Sequence, residues 1–146
     1  MHIELRDQSF DPLMALAEHQ ARLSERDAGR HGATAIFIGA MRDFNAGDTV
    51  EGMILEHYPR MTERQLQRIV EAAFQDWPLL DALVVHRIGA LRPQDPIVLV
   101  AVWSVHRAEA FAACRFIIEE LKSKAPFWKR EETIGGPRWV EHNTPG

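Results

Sequence analysis

The sequence predicts an α+β domain with a largely antiparallel or mixed sheet, and three observations carry that expectation. Strand-like runs come mostly in pairs separated by helical segments, in the order β-α-β-β-α-β-β-α-β-β. The helical segments carry their own punctuation, such as Asp11-Pro12 and Pro78. The chain has 146 residues, 46% of them hydrophobic and 26% charged, enough for one domain over 1–146 with a single core.

Ile3–Arg6 is a short strand candidate. A helix starts at Asp11-Pro12 and runs to about Glu25, with Leu13, Leu16, Ala17 and Leu23 facing inward. Asp27–Gly32 breaks it. Ala33–Met41 reads as a buried strand, Asp43–Asp48 as a polar loop and Thr49–His57 as a second strand, which together suggest a hairpin. Pro59 and Thr62 open the next helix. Leu66, Ile69, Val70, Ala73, Phe74 and Trp77 recur at the spacing of a one-sided helix, which Pro78 ends. Ala82–Ile88 and Ile97–Val105 are strands split by the turn-rich Arg92–Pro96. Ala108–Lys124 is a helix with Phe111, Cys114, Ile117, Ile118 and Leu121 on its apolar face. Phe127–Thr133 and Arg138–Val140 form a last hairpin around Ile134–Pro137.

Composition narrows the chemistry. The net charge of −4 does not suit a nucleic-acid binder, so any anion site has to be a local cluster. No apolar run is long enough to span a bilayer, and the start M-H-I-E-L-R-D does not read as a secretory leader; a cytoplasmic protein is expected. The single cysteine, Cys114, excludes an internal disulfide and a multi-thiolate metal site, and it falls on an apolar helix face as a structural thiol. His57, His86 and His106 show no metal-ligand spacing, so no metal is assigned. Phosphate-binding glycine loops and the G-x-S-x-G elbow are absent.

Three segments remain as candidate site. L-K-S-K-A-P-F-W-K-R-E (121–131) places Lys122, Lys124, Lys129 and Arg130 around a proline and two aromatics. Apolar walls beside a lysine lower its pKa and make the amine useful for proton transfer. Lys122 and Lys129 converge if the chain reverses at Pro126, Lys124 reads as solvated, and Glu131 is placed to pair with a lysine. Ser104-Val105-His106-Arg107 sits where a strand enters a helix, a place that favours anions, although Ser104 as a plain helix cap accounts for it equally well. Arg42 follows the apolar strand. Together they describe a basic, apolar-walled pocket for an anionic small molecule.

F-I-G-A-M-R (37–42), L-E-H-Y-P-R-M-T-E (55–63), H-R-I-G-A-L-R-P-Q-D (86–95), S-V-H-R-A-E-A-F (104–111), the lysine segment and R-W-V-E (138–141) add a further signal. Taken together, in order and with their spacings, they resemble the catalytic large-subunit family of molybdopterin synthase. The resemblance implies an α/β hammerhead-type domain with an additional antiparallel sheet. It implies conversion of cyclic pyranopterin monophosphate (precursor Z) into molybdopterin by installing two dithiolene sulfurs. The sulfur arrives as a thiocarboxylate on the C-terminal Gly-Gly of a small ubiquitin-like partner, so no cofactor is expected. Two large subunits and two small ones form a heterotetramer in the family. Lys122 and Lys129 are implied as the catalytic pair. Ala40, Met41, Arg42, His106 and Arg107 are implied to contact substrate, with Arg42, His106 and Arg107 on the phosphate and pterin. Arg130 and Glu131 are implied to complete the pocket and orient Lys129. Ala40 stands where some relatives carry lysine.

Overall fold

A strand that is apolar at nearly every position must be covered on both faces. Pro96–Ser104, P-I-V-L-V-A-V-W-S, is such a strand, and from Val98 to Ser104 every residue is buried. In the computed structural model, which describes residues 1–45 and 47–140, this strand is β7. The elements run β1 (His2–Arg6), α1 (Pro12–Asp27), β2 (Ala33–Ala40), β3 (Phe44–Asn45), β4 (Asp48–His57), α2 (Pro59–Asp76), β5 (Leu79–Arg87), β6 (Gly89–Leu91), β7, α3 (Arg107–Lys124), β8 (Phe127–Thr133) and β9 (Gly136–Trp139). Glu141 of the R-W-V-E motif lies outside the described residues.

The first sheet has the order β1-β5-β7-β2 and is mixed: β1 and β5 are parallel, the other pairs antiparallel. Helices α2 and α3 cover one face, where Leu66, Ile69, Val70 and Ala73 meet Val84, Val100 and Val102. Helix α1 covers the other, with Ala15 and Leu23 against Leu83, Leu99 and Trp103. The second sheet, β3-β4-β8-β9 with β6 also paired to β4, is wholly antiparallel. It carries its own small core of Met41, Val50, Met53, Leu55 and Leu91. The expected α+β class and additional antiparallel sheet are what the structure contains.

Four expectations need correction. Ala33–Met41 and Thr49–His57 do not form a hairpin: β2 pairs with β7 and β4 with β8. Ala35 and Phe37 belong to the core beneath α3 whereas Val50, Met53 and Leu55 belong to the second core, so the chain changes sheets between them. The tight hairpin lies inside the polar loop instead, where β3 pairs with β4 and Gly47 takes a φ of 83°. Strand β2 is not buried throughout, because it is the sheet edge; Ile36 and Ile38 are exposed. Helix α1 starts as expected, with Asp11 Oδ1 accepting from the backbone N–H of Leu13 at 2.9 Å. Its inward line, however, is Ala15, His19 and Leu23, and Leu13 is exposed. The inward histidine donates from Nε2 to the buried Asp81 carboxylate at 2.8 Å, a polar contact that apolar periodicity does not register. On α3 the buried line is Ala110, Ala113, Cys114, Ile117, Ile118 and Leu121, and Phe111 is exposed. Small alanines at 110 and 113 let this helix approach the sheet closely.

Gly32 sits where the chain enters β2. Its N–H donates to the Ser104 carbonyl at 3.0 Å, and a Cβ there would lie 2.3 Å from the Val105 carbonyl oxygen. Backbone cannot yield as a side chain does, so Gly32→Ala is expected to cost about 1–3 kcal/mol. Urea unfolding measures this as a lowered midpoint with unchanged slope.

Candidate active site

A cavity of about 280 Å³ opens where the β2 edge, the end of α3 and the second sheet meet. Its floor is a row across the first sheet, His86 opposite Val98 and Val98 opposite Gly39. A Cβ on Gly39 would lie 3.0 Å from Val98 Cγ1, so the residue without a side chain keeps this floor open. One wall is the last turn of α3 and its exit, with Ile118, Leu121, Lys122 and Ala125. The opposite wall is β8. Its alternation sends Phe127, Lys129 and Glu131 to the cavity. Ala40, Met41, Arg42 and Asn45 form the rim.

The chain does reverse at Pro126. Helix α3 ends with the Ala125 N–H on the Leu121 carbonyl at 3.1 Å, and the Thr62 hydroxyl donates to the Pro126 carbonyl at 3.1 Å, tying the turn to α2. Lys122 and Lys129 therefore line the same cavity from two elements. The C-terminal dipole of α3 favours a cation at Lys122. Burial first, and the like charge of Lys122 second, hold Lys129 below the ordinary lysine range, while Glu131 pulls the other way.

Glu131 is 4% exposed and fully engaged. Asn45 Nδ2 donates to Oε1 at 2.6 Å, and Arg138 Nη2 and Nε donate to Oε2 at 3.1 and 3.3 Å. Arg138 Nη2 also donates to the Asn45 carbonyl at 2.7 Å. This triangle fastens β3 to the β8–β9 hairpin beside Lys129. On the rim, Met41 exchanges backbone hydrogen bonds with Asp95 at 2.9 Å and Gln94 at 2.8 Å, which fixes the point from which Arg42 leaves β2.

Not every expected residue is brought here. His106 and Arg107 are exposed at the start of α3, the end remote from Lys122. At 1.5 Å per residue the helix separates them by roughly 25 Å. His106 occupies the N-cap position without a side-chain cap bond, and Ser104 turns its hydroxyl to the His106 carbonyl instead of capping. Arg130 projects to the opposite face of β8, with Nε 3.4 Å from Glu132. Lys124 is exposed beside Glu120, as a solvated cation should be. Cys114 is buried, its thiol pushed up to about 11 by burial.

Three residues of the site carried no expected role. Asn45 lay in what read as a polar loop. Arg138 and His86 lay inside motifs, and strand alternation through F-W-K-R-E would have pointed to their partners. His86 stacks on Phe127 with ring centroids 4.0 Å apart and planes 13° from parallel. Its Nδ1 donates to the Arg87 carbonyl at 2.7 Å, and burial pushes the ring down to about 4.

Two outcomes follow from these contacts. Arg138→Met leaves a buried carboxylate short of its main donor and is expected to cost about 1–3 kcal/mol, with Glu131→Gln in the same chain recovering part of it; chemical denaturation of both measures the coupling. Between about pH 6.5 and about 4 the folded protein binds fewer protons on His86 than the unfolded chain does. Stability contributed by that ring is therefore full above the window and falls as pH drops through it, at most about 1.4 kcal/mol per pH unit. Unfolding midpoints across this range, compared with His86→Phe, report the slope.

Comparison with known proteins identifies the family to which this fold belongs. The family model described as MoaE protein matches residues 9–124. The molybdopterin synthase catalytic subunit of Ralstonia nicotianae is 60% identical over 123 residues, which is 83% of this chain and 70% of that protein. A MoaE protein from Burkholderia ambifaria has a structure that superposes with a TM-score of 0.79 at 42% identity, covering 99% of this chain and 92% of that one. The structure of molybdopterin synthase from Staphylococcus aureus gives 0.81 at 31% identity, covering 95% and 96%. With most of its length inside the family model and its whole fold shared with solved members, the chain belongs to the MoaE protein family.

Proposed function

We propose that this chain is the catalytic subunit of a molybdopterin synthase, a sulfur-transferring enzyme of molybdenum cofactor biosynthesis. The observation that carries the reading is the convergence of Lys122 and Lys129, from α3 and β8, on one cavity of small-molecule size. The substrate is precursor Z. Sulfur comes from the thiocarboxylated Gly-Gly end of a small ubiquitin-like subunit, which enters the cavity as an extended tail. No cofactor is needed, because the partner supplies the sulfur.

The two ammonium groups form a fixed positive site for the thiocarboxylate and for the charge that develops as sulfur is transferred. Lys129, already below the ordinary range, is the better suited to give and take a proton during opening of the cyclic phosphate and loss of water. Arg42 on the rim offers a planar fork to the phosphate. Met41 and Ala40 shape the rim beside it, and Glu131 steadies Lys129. His106 and Arg107 stand too far from this cavity to serve it. Their expected contact with substrate is made from a second copy, within a homodimer that carries one small subunit on each member. A cytoplasmic setting accords with this reading; among the described residues no helix is long and apolar enough to cross a membrane.

The test combines the purified chain with thiocarboxylated small subunit and precursor Z, and follows molybdopterin as its fluorescent oxidation product. Product that depends on the thiocarboxylate is expected. Binding of tail or pterin without turnover would reduce the chain to a non-catalytic binding module. Lys122→Ala and Lys129→Ala are each expected to lower turnover about a hundredfold or more while leaving the circular dichroism unchanged.

A further inference from the structure

The cavity holds a titratable group that the reading above does not use. His86 is 4% exposed and forms part of the cavity floor. Its tautomer is fixed by geometry. The Arg87 carbonyl can only accept, so the Nδ1 atom 2.7 Å from it carries the hydrogen. In the neutral ring Nε2 is then a bare acceptor.

Burial first, and the neighbouring cations after it, keep the ring neutral against the Arg87 carbonyl, which pulls the other way. Lys129 faces it from β8 and His57 from the end of β4, and both oppose a positive charge on it. Lys122 lines the same cavity from α3, and Arg42 stands on its rim. The neighbouring Arg87 guanidinium is turned away, donating to the Ala90 carbonyl at 2.8 Å. The carboxylate on this side, Glu131, is bound to Asn45 and Arg138. An imidazolium would be one cation more in a site that already holds several.

Placement is equally specific. Phe127 and Lys129 leave the same face of β8 two residues apart, and the imidazole lies flat on the Phe127 ring. The ring is therefore held beside the Lys129 side chain, and its free nitrogen differs in character from the amines across the cavity: it takes a hydrogen bond without adding charge. Resting on the synthase reading, we propose that His86 is the positioning residue for Lys129, its Nε2 accepting a hydrogen bond from the Nζ ammonium and setting where that amine points.

Two variants separate this role from packing. His86→Phe keeps the stack on Phe127 and removes the acceptor, whereas His86→Gln returns an acceptor near the Nε2 position. In the reconstituted reaction His86→Phe should lower kcat by about tenfold to a hundredfold with little change in the KM for precursor Z, and shift the pH profile limb that Lys129 governs. His86→Gln should restore most of both. Equal activity of His86→Phe and wild type, or a His86→Gln variant as impaired as His86→Phe, would overturn the proposal.

A second measurement needs neither partner nor substrate. Nitrogen-15 NMR of the histidines should show His86 neutral, with hydrogen on Nδ1, from about pH 5 to 8, and its Nε2 signal should move in Lys129→Met. Hydrogen on Nε2, or an Nε2 signal indifferent to Lys129→Met, refutes the role. This arm stays decisive if the reconstituted reaction yields no product or if His86→Phe does not fold, so failure of the synthase reading and failure of the positioning role are distinguishable.

Discussion

Two ammonium groups in one small cavity repel each other, and the turn at Pro126 is what holds them there. Lys122 ends a helix and Lys129 begins a strand, and only a sharp reversal lets those elements face one another. The turn is anchored from outside by the Thr62 hydroxyl on the Pro126 carbonyl and from within by Phe127 under the His86 ring. The cost of the arrangement shows in Lys129, whose affinity for its proton is reduced by burial and by its neighbour. An anion entering the cavity offsets both, which makes the cavity suited to binding one.

The same cavity joins two sheets with separate cores. Ile97 packs against both cores and Phe127 of β8 stacks on His86 of β5, while backbone hydrogen bonds fix the exit of β2. The ladder from Met41 to Gln94 and Asp95 holds the β2 exit against the β6–β7 turn. Within the second sheet, beside the cavity, the triangle of Asn45, Glu131 and Arg138 holds β3 against the last hairpin. Such bonds fix geometry better than apolar contact does, because each has a direction. A site on the seam inherits that precision while its floor rests on β5 and β7, the most buried strands of the protein.

Much of this was legible in the chain. Helix α2 announced itself through the spacing from Leu66 to Ala73, and the lysine segment announced a site. The reversal at Pro126 was legible as a condition, since proline stops the helix and the strand residues follow at once. What local pattern could not reveal was pairing. Ala33–Ala40 and Asp48–His57 are neighbours in sequence, yet each finds a strand some fifty residues or more away, because burial of two different cores outweighs the short loop. The inward face of α1 was misread for a related reason: His19 is buried by virtue of Asp81, sixty-two residues on. Asn45 was unreadable as a site residue because its importance lies in a carboxylate on a distant strand, that of Glu131. Arg130 lies on the other face of β8 from this cavity, a separation from Lys129 and Glu131 that strand alternation made readable.

The lone thiol completes the logic of the site. Cys114 lies under α3 with its sulfur 3.9 Å from the Val100 carbonyl, on the buried side of the helix. Its thiol is raised to about 11 by burial, which keeps it protonated at neutral pH. Neither its place nor its ionisation suits a sulfur carrier. A protein that transfers sulfur with no usable sulfur of its own has to receive it as part of an incoming group. On the proposed reading the cavity is furnished for such an arrival: cations to meet an anionic sulfur, a desolvated amine to manage the proton, and a glycine in the floor that leaves the guest room. On this argument the electrostatics of the pocket are those of a receiver, and the sulfur chemistry belongs to the partner that enters it.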